Sequence, residues 1–360
     1  VEGGVSHYTQ ILARHLVDMG EQLIVVTNDD YQGTETHPSL DVITLPGAWN
    51  GRAARDIFDT LSTRSVDLVN LQYSPSMYTT SFKWAWGVAA KRLASVTSFH
   101  TLWGGGKINY WFALQLLGSS KAVVATNTEI VHLLEKYLPF FLKKVRQIPI
   151  GSNIRPLAAP RYDLEEKYKL RRGVPIVSYF GMCYPGKGMA VLFETAKLLK
   201  KSLDFRMLVI GGGMSDDETH YEQAREKVRA CGVDDNVTWT GRLAAEDVST
   251  LLSRSDVVLL PYELGVSDRR GSLMAALAHG KAIVTAAPSI PGFPFKRWEN
   301  MVWPDSYDAK EFAELVARVL DDNQLRSRLG SGARLLAEEY QWPSIAKRTR
   351  DFFFEITSGA

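Results

Sequence analysis

Two α/β domains, each a Rossmann-like, doubly wound parallel sheet with helices on both faces, are predicted by three features of the sequence. Short apolar runs rich in Val, Ile and Leu recur from Leu23 to Thr285 and alternate with segments of helical periodicity. Strands buried on both faces and joined by helical crossovers read this way. The alternation breaks at Ile150-Gly-Ser-Asn-Ile-Arg-Pro-Leu-Ala-Ala-Pro160, where Pro and Gly accumulate as at a domain boundary. Apolar runs of the second half end in glycine turns that carry basic residues, and ligands of doubly wound sheets bind at strand C-termini, where the crossovers begin.

Bulk properties narrow the function. The 360 residues are 45% hydrophobic and 23% charged, enough for two cores and unlike a disordered chain. A net charge of +2 is too mild to point to a nucleic-acid partner. Cys183 and Cys231, the only cysteines, supply neither a disulfide framework nor a Cys-based metal site and favour a reducing compartment. No apolar run approaches the length of a membrane span, and no signal-peptide pattern opens the chain. A cytoplasmic protein is expected, with peripheral contact on the inner face of the plasma membrane as a variant. The chain starts at Val1, directly at a glycine turn, so its natural start is expected to lie upstream.

In the first half, Val5, Tyr8, Leu12, His15, Leu16 and Met19 share one helical face and Gly20 stops that helix. Strands are expected at Leu23 to Val26, Val42 to Leu45, Asp67 to Leu71, Ser95 to Phe99, Ala122 to Ala125 and Val145 to Ile150. Glu2-Gly-Gly-Val5 reads as the first strand-to-helix loop, where Gly3 and Gly4 let a ligand approach the backbone or form a plain turn and cap. The strand that should precede it is not in the sequence, and the edges of its neighbours are expected to be exposed. His100 follows one strand and precedes Gly104-Gly-Gly106, at the sheet edge where ligands bind; a structural histidine is the alternative. Phe82, Trp84, Trp86, Trp103, Tyr110, Trp111 and Phe112 interleave with Lys83, Lys91, Arg92 and Lys107, and Tyr137-Leu-Pro-Phe-Phe-Leu-Lys-Lys144 follows. Such a mixture suits an acceptor pocket, a surface lying against a membrane with a lipid-linked substrate, or a core with snorkelling lysines.

After the boundary, strands are expected at Ile176 to Phe180, Phe205 to Ile210, Val237 to Thr240, Val257 to Leu260 and Ala282 to Thr285. Their ends carry Gly181 to Gly188, Gly211-Gly-Gly213, Gly241-Arg242 and the stretch Gly265 to Gly280. In that last stretch Gly271-Ser272 open a helix and Gly280 closes it, with Arg269 and Arg270 just before its start. Free N–H groups, the helix dipole and guanidinium forks make an anion site, for which a diphosphate is the natural ligand; a Ser-capped helix with two solvated arginines is the alternative. Several glycine turns and basic residues on one edge of one sheet point to a nucleotide-phosphate cleft. Gly211-Gly-Gly213 alone lacks the dinucleotide spacing, which counts against a dehydrogenase.

In order and spacing, several segments resemble a family 4 glycosyltransferase of the GT-B fold over essentially the whole chain. They are Glu2-Gly-Gly-Val5, Ser98-Phe-His-Thr101, Ile148-Pro-Ile-Gly-Ser-Asn153, Tyr179-Phe-Gly-Met-Cys-Tyr-Pro-Gly-Lys-Gly188, Thr240-Gly-Arg-Leu243, Ser255-Asp-Val-Val-Leu-Leu-Pro261 and the helix after Gln341-Trp-Pro343. The resemblance implies an acceptor-side domain over 1–151, a linker over 152–172, a donor domain over 173–340 and a helix over 341–360 that crosses back to the first domain, with the active site in the cleft between them.

The implied activity is sugar transfer from a nucleotide diphosphate sugar to a glycan, lipid-linked or small-molecule acceptor, with retention and without a metal or other cofactor. The implied setting is polysaccharide or envelope assembly in a bacterium. His100, Asp268 and Lys187 carry the catalytic expectation. Gly3, Gly4, Lys187, Arg269, Arg270, Gly271, Ser272 and Leu273 would bind the donor phosphates, and Gly241, Arg242 and Leu243 the nucleoside. Two departures stand out. The family's paired loop glutamates fall on Ser267 and Ala275, with Asp268 as a neighbouring substitute for the first, and its phosphate arginine falls on Met182. Arg269 and Arg270 are expected to replace that arginine's charge. The lost carboxylates favour a second reading: a non-catalytic nucleotide-sugar-binding protein, or a partner subunit of an active transferase.

Overall fold

A computed structural model describes residues 4–29, 31, 37–47, 49–102, 104, 107–159, 163–171, 173–212 and 219–358. The chain divides into two compact units, Val1–Gly151 with Gln341–Ala360, and Ser152–Tyr340. All strand pairs within both units are parallel, so the expected α/β class holds.

In the first unit, β1 (Leu23–Asn28) pairs, among the described residues, only with β2 (Leu40–Leu45), and a separate sheet runs β3 (Val69–Tyr73), β4 (Ser95–Phe99), β5 (Ala122–Ala125), β6 (Val145–Gln147). β4 and β5 are buried at every position, whereas β1 is half-buried throughout despite its apolar sequence, as befits an edge. Alternation across the sheet sorts its side chains into two cores. Leu71, Tyr73, Phe99, Val123 and Ala125 face a cluster with Ile57, Phe82, Trp86, Leu116 and Leu134 from the covering helices. Val96, Ala122, Val124 and Ile148 face the other, built with Tyr8, Leu12 and Leu16 of the Gly4–Asp18 helix and Trp342, Ile345 and Phe352 of the Trp342–Thr357 helix. The last helix of the chain is therefore part of the first unit's core. Gly151 permits its approach: a Cβ there would stand 2.7 Å from Trp342 Nε1.

Four strands of this unit differ in their bounds from the sequence reading, β2 starting at Leu40 rather than Val42. β3 begins at Val69 and continues through Gln72 to Tyr73, since its polar residues pair as well as its apolar ones. β1 runs on through Thr27-Asn28 for the same reason. β6 stops at Gln147, ahead of Pro149, which has no N–H for a ladder.

The second unit holds one sheet in the order β11 (Ala282–Thr285), β10 (Val257–Leu260), β7 (Ile176–Phe180), β8 (Arg206–Ile210), β9 (Val237–Trp239). The chain builds outward from β7 through β8 to β9, then returns to the other side of β7 for β10 and β11. Successive crossovers thus leave in opposite directions at β7 and β10, which makes the space beyond their C-termini the topological switch point of the sheet. β7, β8, β10 and β11 are apolar on both faces and almost wholly buried.

The aromatic stretch of the first unit is core only in part. Phe82, Trp86 and Phe112 are core, and Lys83 is buried with its ammonium donating to the Pro75 carbonyl at 2.9 Å and Asn109 Oδ1 at 3.1 Å. Trp84, Val88 and Trp111 are instead 57%, 62% and 65% exposed.

Candidate functional site

The loops that follow β7 and β10 meet at the switch point of the second unit. Gly188 ends the β7 loop with φ +75°, and a Cβ there would lie 1.8 Å from the Pro261 carbonyl oxygen at the end of β10. Tyr307 donates to that same carbonyl at 2.7 Å. A second tie is reciprocal: the Gly186 N–H donates to Glu263 Oε2 at 3.2 Å and the Glu263 N–H to the Gly186 carbonyl at 3.3 Å. On the other side of the β7 loop, Gly211 (φ +122°) would place a Cβ 2.3 Å from the Gly181 carbonyl oxygen. Only glycine fits these crossings, which draw the backbone of separate loops into contact.

Three cations converge there. The Lys187 ammonium lies 5.7 Å and the Arg270 guanidinium 4.9 Å from the ring centre of Tyr262, a residue with no exposed surface. Both are within cation–π range of one aromatic ring. Burial, then the charges of Arg270 and Arg269, lowers the Lys187 pKa to about 8. The Tyr262 hydroxyl, raised to about 12 by burial, bonds Ser272 Oγ at 2.7 Å. One tyrosine thus touches both cationic loops and the first turn of the Gly271–Ala278 helix.

That helix presents backbone donors. Its first intrahelical bond runs from the Met274 N–H to the Arg270 carbonyl at 3.0 Å, which leaves the N–H groups of Gly271, Ser272 and Leu273 ahead of the ladder. Gly271 is exposed and Ser272 half-buried, while the Leu273 side chain is in the core. Arg270 occupies the cap position without a side-chain cap bond. N–H groups ahead of the ladder, the positive end of the helix dipole and three side-chain cations concentrate positive potential here, an arrangement suited to an anion.

The remaining predicted residues are distributed more widely. Ser267 and Asp268 are 2% and 1% exposed, and Ser267 Oγ makes no hydrogen bond among the described residues. Ala275, at the second glutamate position, is fully buried in the helix. Met182 is 44% exposed. Gly241 bridges to Gly211 at the ends of β8 and β9, with Arg242 exposed and Leu243 half-buried beside it. Gly3 and Gly213 lie outside the described residues, and Gly4 opens the first helix of the other unit.

In the first unit, His100 directly follows β4. Its Nε2 is 2.9 Å from Gln72 Oε1 and its ring meets Tyr8 edge-on at 4.8 Å between centres. Burial lowers its pKa to about 4, so it is neutral at physiological pH. Sequence reasoning missed Tyr262, Glu263, Tyr307 and Gln72. The signal for Gln72 was available, since Asn70 and Gln72 are polar residues at alternate positions of an otherwise apolar strand. Among the described residues, no group of three or more His, Cys, Asp or Glu could hold a metal ion, and no helix is long and apolar enough to cross a membrane.

Comparison with known proteins places both units. Residues 2–155 match the model of Glycosyltransferase Family 4, and residues 161–336 that of Glycosyl transferases group 1. The chain is 24% identical over 252 residues to the D-inositol 3-phosphate glycosyltransferase of Xylanimonas cellulosilytica, covering 68% of this chain and 59% of that protein. It therefore spans little more than half the length of that relative. Among solved structures, a glycosyltransferase from Rickettsia africae superposes with a TM-score of 0.81 at 19% identity, over 100% of this chain and 97% of that one. Anabaena HepE in complex with UDP and glucose superposes with a TM-score of 0.75 at 16% identity, over 98% and 96%. These similarities establish the GT-B fold.

Proposed function

Because the chain belongs to the glycosyltransferases, its first half matching family 4 and its second half group 1, we propose that it transfers a sugar from a nucleotide diphosphate sugar, with retention at the anomeric carbon and without a metal ion. The convergence of Lys187, Arg269 and Arg270 on the start of the Gly271–Ala278 helix carries this reading. When the bond between the anomeric carbon and the diphosphate oxygen breaks, negative charge grows on the diphosphate. Fixed cations and backbone donors aimed at that charge stabilise it more in the transition state than in the ground state. Arg269 and Arg270 supply the positive charge that Met182 does not.

The roles of the residues follow from this arrangement. Lys187, Arg269, Arg270 and the N–H groups of Gly271, Ser272 and Leu273 hold the diphosphate, with Gly3 and Gly4 as further backbone donors. Gly241, Arg242 and Leu243 line the nucleoside. His100 serves a sugar or acceptor hydroxyl, and Asp268 stands in for a loop carboxylate. The second unit takes the donor and the first the acceptor, a glycan, a lipid-linked sugar or a small molecule. Exposed Trp84, Val88 and Trp111, with exposed Lys91 and Arg92 nearby in the chain, suit peripheral contact with an anionic membrane.

Nucleotide release from a panel of UDP-, GDP- and ADP-sugars, with and without candidate acceptors, tests the activity. Release would establish catalysis. Tight binding without release would select a non-catalytic binding protein or partner subunit, the reading favoured by buried Ser267 and Ala275 at the two glutamate positions.

A further inference from the structure

β3 and β4 carry a row of polar side chains that ends at His100. Asn70 and Gln72 alternate on β3, Ser98 precedes His100 by two positions across from them, and the register sets Asn70 opposite Val96 and Gln72 opposite Ser98. Asn70 Nδ2 donates to the Val96 carbonyl at 3.3 Å and to Ser98 Oγ at 2.9 Å. Gln72 Nε2 donates to Asn70 Oδ1, and Gln72 Oε1 faces His100 Nε2 at 2.9 Å.

An amide can be turned over, so the direction of such a row is decided by a member that can only accept or only donate. The Val96 carbonyl is that member. Facing it, Asn70 must present Nδ2, which turns Oδ1 toward Gln72. Gln72 must then offer Nε2 to that oxygen, which turns Oε1 toward the histidine. An oxygen acceptor opposite Nε2 requires a proton on Nε2. Reversing the row would set Asn70 Oδ1 against the Val96 carbonyl, two acceptors with no proton between them. The backbone of His100 is fixed as well, its N–H donating to the Tyr73 carbonyl at 2.9 Å and its carbonyl accepting from Asn127 Nδ2 at 3.2 Å, and Tyr8 meets the imidazole edge-on.

We propose that the Val96 carbonyl, Asn70 and Gln72 form a positioning relay that fixes His100 as the Nε2–H tautomer and leaves its Nδ1 as a hydrogen-bond acceptor for a hydroxyl of a bound sugar or alcohol. Burial supports the same state, since it disfavours the imidazolium. A neutral ring with a lone pair on Nδ1 accepts from a hydroxyl and repels a phosphate oxygen, so this position discriminates by chemical class. The tautomer half stands independently of activity; the hydroxyl half rests on the glycosyltransferase reading.

Long-range ¹H–¹⁵N spectra of the whole chain labelled at histidine test both halves. The expected result is a protonated Nε2 and an unprotonated Nδ1 in the wild type, with Gln72→Leu relaxing to a mixture of tautomers. A wild-type His100 protonated on Nδ1 would overturn the relay without any variant, as would an unchanged tautomer in folded Gln72→Leu. Titration with UDP-, GDP- and ADP-glucose and with free glucose should shift the Nδ1 resonance, and inorganic pyrophosphate should not. If a nucleotide sugar binds while Nδ1 stays in place, the hydroxyl assignment is wrong. If free glucose shifts Nδ1 but no nucleotide sugar binds, the transferase reading fails and the relay stands. In the active enzyme, Gln72→Leu should lower kcat about tenfold, the worth of one net hydrogen bond, and Gln72→Glu should move the acid limb of the pH profile upward by stabilising the imidazolium.

Discussion

The Lys187 ammonium gives the proposed donor site a pH dependence whose sign and position follow from its surroundings. Burial and the neighbouring Arg270 and Arg269 charges lower its pKa to about 8. A diphosphate restores the proton's advantage, so the bound lysine titrates higher than the free one. Affinity for a nucleoside diphosphate should then be flat below pH 8 and fall above it by up to tenfold per pH unit, one proton being taken up on binding. At pH 9.5 the loss approaches about thirtyfold, or roughly 2 kcal/mol, within the range for a hydrogen bond to a charged group. Calorimetry with UDP, GDP and ADP between pH 7 and 9.5 measures this directly. Lys187→Arg should abolish the alkaline limb because a guanidinium stays charged. Arg270→Ala should weaken binding at pH 7 yet move the limb to higher pH, because a neighbouring cation no longer opposes the lysine's proton. An affinity constant from pH 7 to 9.5, or a limb unmoved in Arg270→Ala, would refute the coupling. Stability of the free protein runs the opposite way with pH. The unfolded lysine, near 10.5, binds its proton more tightly than the folded one, so ν_U exceeds ν_N and stability rises with pH between about 8 and 10.5. At 1.36 kcal/mol per pH unit this is about 3 kcal/mol, reduced to roughly half because the side chain keeps part of its hydration.

Gly188→Ala should destabilise the second unit by about 3 kcal/mol or more, since its Cβ would meet the Pro261 carbonyl and its φ is +75°, and thermal denaturation should show it. Tyr262→Phe should keep both cations over the ring and bind nucleoside diphosphates within about threefold of wild type, whereas Tyr262→Leu should lose roughly 0.5–2 kcal/mol of binding with the cation–π face; calorimetry with equal losses for both would refute the platform. Trp84→Ser with Trp111→Ser should reduce pelleting with anionic liposomes while leaving the melting temperature near wild type, both side chains being more than half exposed. Trp342→Ala should destabilise the first unit by about 3–5 kcal/mol by emptying its core, and denaturant unfolding should register that loss.

The central strands were legible because they are apolar on both faces. Ser95–Phe99, Ala122–Ala125, Ile176–Phe180, Val257–Leu260 and Ala282–Thr285 have the bounds that composition alone suggests. Polar strand residues were harder to place. Gln72 lies beyond the apolar run of β3; its alternation with Asn70 is local, but its pairing with His100 depends on register with β4. The start of the Gly271–Ala278 helix and the arginines before it could be read from the glycine, serine and arginine types. Its neighbours could not, because Lys187 and Arg270 are far apart in sequence and become close only through the order β10-β7 in the sheet. Tyr262 escaped notice for a related reason: an aromatic residue after a strand reads as core, and it is core, with two cations held against it.

The composition of the β10 loop also bears on what the site can do. Two carboxylates at positions 267 and 275 would place negative charge within the same loop and helix that hold Arg269 and Arg270. Here those positions are a serine and an alanine, both buried, and the stretch Gly265 to Gly280 keeps one carboxylate, the buried Asp268, next to the arginines. Its side chains carry more positive than negative charge, and the Lys187 pKa is lowered first by burial and then by the Arg270 and Arg269 charges. A more positive site grips a diphosphate more strongly, in the product complex as well as in the transition state. Charge that stabilises the departing diphosphate in the transition state thus also retains it after the bond has broken. A transferase built this way should be slowed by product release, with nucleoside diphosphate acting as a strong competitive inhibitor of the donor. Arg270→Ala should then raise the inhibition constant for the diphosphate more than it lowers kcat. A loss of kcat without any change in product inhibition would instead assign Arg270 to the transition state alone.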